Sequence, residues 1–201
     1  PENTPGNSRS QGTFNATMDV AVAKELLRNT IDASRELGRN ADRIPRWEAM
    51  LDKMPDYMTD DRGILKEWLT PKLENNDSHR HSSQLYALFD GMPDEIARDP
   101  RLRAAFRKSI EFKLDHHWRN NQRGFMSFGL VQLGQAAASL GEGELAYRCL
   151  VQLVNRYWLN NLASMHNHRS LFNMDISGGM PAVILRMLVA SEPGRLRLLP
   201  A

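Results

Sequence analysis

Cysteine is almost missing from this sequence. Cys149 stands alone among 201 residues, which excludes an intrachain disulfide, and its apolar helical surroundings read as those of a small buried hydrophobe. Charge of one sign is not in excess either. Lys and Arg number 26 against 24 Asp and Glu, a formal net charge of +2, so composition offers no electrostatic argument for nucleic acid or a membrane surface. Long hydrophobic runs are absent, and the short apolar stretches are broken by charge, which excludes a membrane-spanning helix. Strand signals are weak throughout, and no fixed-period repeat supports a regular solenoid. The opening PENTPGNSRSQGTFN lacks the layout of a signal peptide, and a start on Pro1 with a stop at LRLLPA is expected of a piece of a longer protein.

What is present is helical periodicity in an otherwise ordinary globular composition, 41% hydrophobic and 25% charged. After the Pro- and Gly-rich opening loop, Thr17 is expected to cap a helix. Asp19 suits its positive end, Val20, Ala23, Leu27 and Ile31 share one face, and Gly38 offers the stop. A second helix is expected from about Pro45 through Trp47, Met50 and Leu51 to a break at Pro55, and the short connection makes the two antiparallel neighbours. Residues 55–93 show no sustained period and read as extended and looped segments around GILKEWL and SHRHSSQLYALF. Asp99-Pro100 marks the next start, with Leu102, Ala105, Phe106 and Ile110 on one face. Helices follow over residues 126–140 and 142–158, broken at Gly141, and a last one near Pro181. The fold class is all-α: paired antiparallel helices with long loops, as in half of an (α/α)6 barrel.

Three constellations carry potential chemistry. Glu2, in Pro1-Glu2-Asn3, is a carboxylate in a loop; on its own it reads as a surface residue near a terminus. His79 and His81, at i and i+2, would share one side of an extended segment with Arg80 on the other. That spacing suits a metal pair, an anion-recognition cluster, or a loop whose side chains bond backbone carbonyls. A metal needs a third ligand, and nothing in the spacing ties His116 or His117 to His79, so no metal is expected. Asp175 lies between Met174 and Ile176, just ahead of Gly178-Gly179. It reads either as a carboxylate in a partly desolvated loop or as a helix cap, a task Ser177 could also perform. Trp68, Trp118 and Trp158 offer aromatic faces to a sugar or to the core; Trp158 suits the core, and Trp68, in KEWL, suits either.

These segments occur in a familiar order. PEN, then TMDVAVAKELLRNTIDAS, LKEWL, HRHSSQLYALFDG, SFGLVQLGQAAASLGEGELAYRCL and LFNMDISGG together resemble family 95 glycoside hydrolases over nearly the whole chain. The resemblance implies an (α/α)6 barrel, of which residues 1–201 are the C-terminal portion, and hydrolysis of α-L-fucosides or related α-L-sugars in a glycan with inversion and without a cofactor. It implies Glu2 as general acid, held protonated by burial, and Asp175 as the partner of an asparagine base lying before Pro1. It also implies Arg80 and His81 as sugar contacts. Inversion requires acid and base roughly 6.5–9.5 Å apart. Residues 1–201 alone are then expected to be inactive, and the family suggests a secreted or periplasmic parent; Trp68 joins as a substrate-binding candidate. Two departures stand out. LFNMDISGG replaces the family's usual Gln, Asn and Phe around the aspartate, and MHNHRS, with His166, His168 and Arg169, replaces a His-Pro-Pro stretch, which points to an altered sugar subsite. No nucleic-acid or membrane partner is expected, and oligomeric state is left open. The alternative of another class is a non-catalytic helical-hairpin scaffold, in which Glu2, Arg80, His81 and Asp175 would lie scattered.

Overall fold

Helix α1 (Thr17–Glu36) forms where the apolar spacing predicts, burying Val20, Leu27 and Ile31 on one face. The computed structural model describes residues 3–10, 12–119, 126–192 and 194–201. Thr17 does not cap α1. It is the helix's first residue, with its hydroxyl donating to Lys66 O at 2.6 Å and its N–H to Glu67 O at 2.9 Å. One of the unpaired N–H groups of the first turn is thus satisfied by the KEWL segment rather than by a side chain. At the other end Gly38, at φ +62°, lets Arg39 N–H reach Ser34 O at 2.9 Å. Helix α2 (Ile44–Leu51), with Pro45 in its first turn, packs back on α1.

The segment that follows is largely irregular, with a bridge between Thr59 and Leu65 and a 3-10 helix over Ser83–Leu88. A single turn, α3 (Asp94–Ala97), which the periodicity does not announce, leads into α4 (Pro100–Arg119). There Asp99 Oδ1 accepts the N–H groups of Arg101 and Leu102 at 2.8 and 3.2 Å, as its capping position predicts. Helices α5 (Ser127–Leu140) and α6 (Gly143–Tyr157) form an antiparallel hairpin. Gly141 takes the left-handed conformation between them, and Glu142 N–H reaches Ala137 O at 2.9 Å. Helix α5 is buried on nearly every side, the mark of a central element.

The last helix differs from its expected start near Pro181. Helix α7 runs Asp175–Leu188, with Pro181 inside it and Gly178 and Gly179 helical. Packing overrides propensity here. A Cβ on Gly179 would stand 2.5 Å from Val131 Cγ1, and one on Gly134 would stand 3.1 Å from Val183 Cγ2, so bare glycine backbone lets α5 and α7 close together. The order of these contacts, 131 with 179 and 134 with 183, makes the two helices parallel. Two short antiparallel ribbons complete the fold: β1 (Met165–Asn167) with β2 (Ser170–Phe172), and β3 (Val189–Glu192) with β4 (Arg195–Leu198). The core gathers Leu65, Leu88, Phe106, Leu130, Leu153 and Val183, and Cys149 is fully buried within it, as its sequence setting predicts. The molecule is mostly helical, as expected for a piece of an (α/α)6 barrel.

Candidate functional site at one end of the helices

Because α5 and α7 are parallel and α5 and α6 antiparallel, the starts of α5 and α7 and the end of α6 share one end of the bundle. The start of α1 joins them through a chain of buried polar contacts. Glu67, 2% exposed, accepts from Asn3 Nδ2 at 3.1 Å and from Asn76 N–H at 2.6 Å. Asn76 Nδ2 donates onward to Asn3 Oδ1 at 3.0 Å and to Thr4 O at 3.2 Å. Lys113, 3% exposed on α4, donates from Nζ to Asn76 O, Asp77 O and His79 O at 3.3, 3.2 and 3.2 Å. Burial pushes the Glu67 carboxyl up against the opposing pull of the Lys113 charge, and burial pulls the Lys113 ammonium down against the support of Glu67. Loop 3–8, the KEWL segment and the approach to His79 are thereby tied to α4.

His79 and His81 meet edge to face with ring centroids 5.3 Å apart, as their i, i+2 spacing predicts, and His81 meets Phe128 at 5.8 Å. The His79 ring is buried, with no hydrogen-bond partner on either nitrogen among the described residues. Burial, reinforced by His81, Lys113 and Arg80, pushes its pKa down to about 4, so it is neutral near pH 7. Arg80 is exposed and His81 half-buried. Arg80 O lies so near α5 that a Cβ on Gly129 would stand 2.3 Å from it, and Ser82 N–H donates to Gln132 Oε1 at 2.9 Å. The His-Arg-His loop is therefore seated on the first turns of α5. Among the described residues, no group of three His, Cys, Asp or Glu side chains is placed to hold a metal ion, and no helix is long and apolar enough to cross a membrane.

Asp175 opens α7 at this same end. It is exposed, unlike the partly desolvated carboxylate of one of its two readings, because the helix starts at Asp175 itself and leaves the carboxylate on the rim. Asn173 fixes it on both sides, accepting from Asp175 N–H at 2.7 Å and donating to Asp175 Oδ2 at 2.9 Å. Ser177, the other capping candidate, lies inside α7, and its hydroxyl contacts Ser164 Oγ at 3.1 Å. Trp68 is corrected from pocket to core: 0% exposed and bridged to Ala16, it leaves no ring face open for a sugar. Trp118 is 60% exposed on α4, and Trp158 is half-buried. Glu2 lies outside the described residues. Arg80, His81 and Asp175 thus lie toward one end of the helices.

Sequence reasoning passed over Glu67 and Lys113. A signal was available for Lys113, which continues the apolar stripe of Phe106 and Ile110 on the buried face of α4 and so was never a solvated lysine. Glu67 had only its place beside Trp68. A cavity of about 620 Å³ lies between α1 and residues 86–95, away from this end; there Lys24 and Arg28 pair with Glu95.

Paired helices with polar loops collected at one end define a mostly helical domain with its candidate site on those loops. Residues 1–188 match the glycosyl hydrolase family 95 catalytic domain, and the chain belongs to that family. It is 28% identical over 200 residues to alpha-L-fucosidase 2 of Arabidopsis thaliana, a match covering 94% of this chain and 22% of that relative. The chain therefore spans about a fifth of the length of this relative.

Proposed function

We propose that this chain is the C-terminal portion of the catalytic domain of an inverting exo-glycosidase that removes terminal α-L-fucosyl or related α-L-sugar residues from a glycan. Glu2 acts as general acid on the leaving oxygen. Asp175 polarises an asparagine base contributed by sequence before Pro1, and Arg80 and His81 contact the sugar. What supports this reading is that the Asn3 anchor, the His-Arg-His loop and the Asp175 turn lie at the same end of α1, α5 and α7. Family membership supports the reaction class, and the relative named for α-L-fucose supports the sugar.

The chemistry follows from the pairing. Inversion needs a proton donor on one face of the anomeric carbon and an activated water on the other. Asn3, buried and bonded to Glu67 and Asn76, gives the acid loop a rigid anchor one residue from Glu2. Asn173 holds the Asp175 carboxylate in one orientation, so that an amide facing it is oriented as hydrogen-bond acceptor toward water. The test is to change Glu2→Gln and Asp175→Asn separately in the full-length protein and follow hydrolysis of an aryl α-L-fucoside. Each variant is expected to lose roughly 10²–10⁴-fold in kcat, the usual contribution of a general acid or base. The first sugar released is expected to be the β-anomer by NMR. Near-wild-type turnover in either variant overturns that residue's role, and an initial α-anomer overturns inversion.

A further inference from the structure

A second cavity, of about 520 Å³, opens at the end of α6 and is lined by Arg156, Trp158, Asn160, Asn161, His168 and Arg169 among others. That volume suits one or two sugar rings. Its place in the fold is informative: the end of α6 lies at the same end of the bundle as the start of α5. The cavity wall includes the β1–β2 turn, which leads within a few residues to Asp175.

The lining is chemically one-sided, with no carboxylate among the described residues. Arg28, Arg62, Arg148 and Arg186 each meet an acidic side chain, whereas Arg156 and Arg169 have no carboxylate partner among the described residues. Arg156 Nε and Trp158 Nε1 are buried donors with no acceptor among the described residues. The end of α6 brings negative partial charge, but His168 Nδ1–H donates to Arg156 O at 3.0 Å and covers one of its last carbonyls. Two full guanidinium charges outweigh the roughly half charge of a helix end. Asn160 and Asn161 add amide groups of the kind that bond sugar hydroxyls.

We infer that this cavity is a subsite for an acidic saccharide, in which Arg156 and Arg169 hold a carboxylate or sulfate carried by the glycan beyond the cleaved sugar. The inference rests on the proposed glycosidase reading and deepens it by naming the substrate class: a uronic-acid-bearing or sulfated glycan. Guanidinium forks bind both anions in two-point fashion.

The experiment is a calorimetric titration of the full-length protein with four probes: a glucuronosyl-galactose disaccharide, a sulfated galactosyl disaccharide, neutral galactobiose and inorganic sulfate. One acidic disaccharide is expected to bind at least tenfold more tightly than galactobiose and than sulfate, and which one does so separates uronate from sulfate ester. Arg169→Gln, an exposed position on a turn, is expected to remove that preference with an unchanged circular dichroism spectrum; Arg156→Gln is a second variant with the same expectation. Equal binding of acidic and neutral disaccharides, binding of inorganic sulfate as tight as that of either acidic disaccharide, or a preference that survives both variants overturns the inference. Turnover of a neutral aryl α-L-fucoside by the full-length protein separates the two claims. Turnover without any acidic preference overturns the subsite alone, whereas acidic preference without turnover overturns the hydrolase reading and leaves the subsite standing.

Discussion

Lys113 lies in the interior, its Nζ donating to three backbone carbonyls, and it interacts electrostatically with the buried Glu67 carboxyl. Breaking such an arrangement from one side leaves carbonyls and a carboxylate without compensation. Lys113→Met is therefore expected to cost about 3 kcal/mol in urea unfolding, and adding Glu67→Gln is expected to recover part of that loss. Additive costs in the double variant would show that the two groups do not sense each other. His79 works through its neutrality. Its pKa in the folded chain, about 4, lies below the ordinary 6.5, so folding favours the uncharged ring. Its contribution is complete above about pH 6.5 and is lost as pH falls toward 4, a loss of about 1–3 kcal/mol. Because neither ring nitrogen has a hydrogen bond to lose among the described residues, His79→Phe is expected to be nearly neutral at pH 7 and to flatten this acid slope in denaturation curves. An unchanged slope would place the acid sensitivity elsewhere.

The contact between α5 and α7 is governed by what is missing from a glycine. A methyl at position 179 would enter Val131, whose branched side chain has little rotamer freedom to yield, so Gly179→Ala is expected to destabilise the fold by about 1–3 kcal/mol. Val131→Ala in the same chain is expected to restore part of the melting temperature; no rescue would mean that the cost arises within α7. The same contact explains where the helices were legible. For α1, α2, α4, α5 and α6 the apolar period and, apart from the Thr17 cap, the end signals agree with the tertiary fold, and their bounds come close to those read from sequence. At α7, Gly-Gly and Pro181 signal a boundary locally, but close approach to α5 and the paired Asn173–Asp175 turn set the start instead. The ribbons escaped because strands of three and four residues, mostly exposed, carry too little alternation to read.

For the whole molecule, the site was legible in a different way from the fold. Spacing alone predicted that His79 and His81 share a side, but the gathering of Arg80, His81 and Asp175 came from the family resemblance, since loops distant in sequence meet only through helix packing. Glu67 and Lys113 stayed hidden because charged residues in a sequence look solvated by default. The chain matches 22% of its plant relative, and the proposed asparagine base lies outside it. Residues 1–201 alone are accordingly expected to give no turnover of an aryl α-L-fucoside; measurable turnover would overturn the assignment of the base. The lone thiol gives the molecule a built-in reporter. Cys149 is fully buried, its Cβ packed toward Gly134 between α5 and α6, and burial pushes its pKa up to about 12. A disulfide reagent at neutral pH meets neither an accessible sulfur nor a thiolate while the helices stay closed. When labelling outpaces reclosing, the pace at which such a reagent modifies the native protein therefore reports the openings that expose Cys149, without denaturant and without any engineered probe.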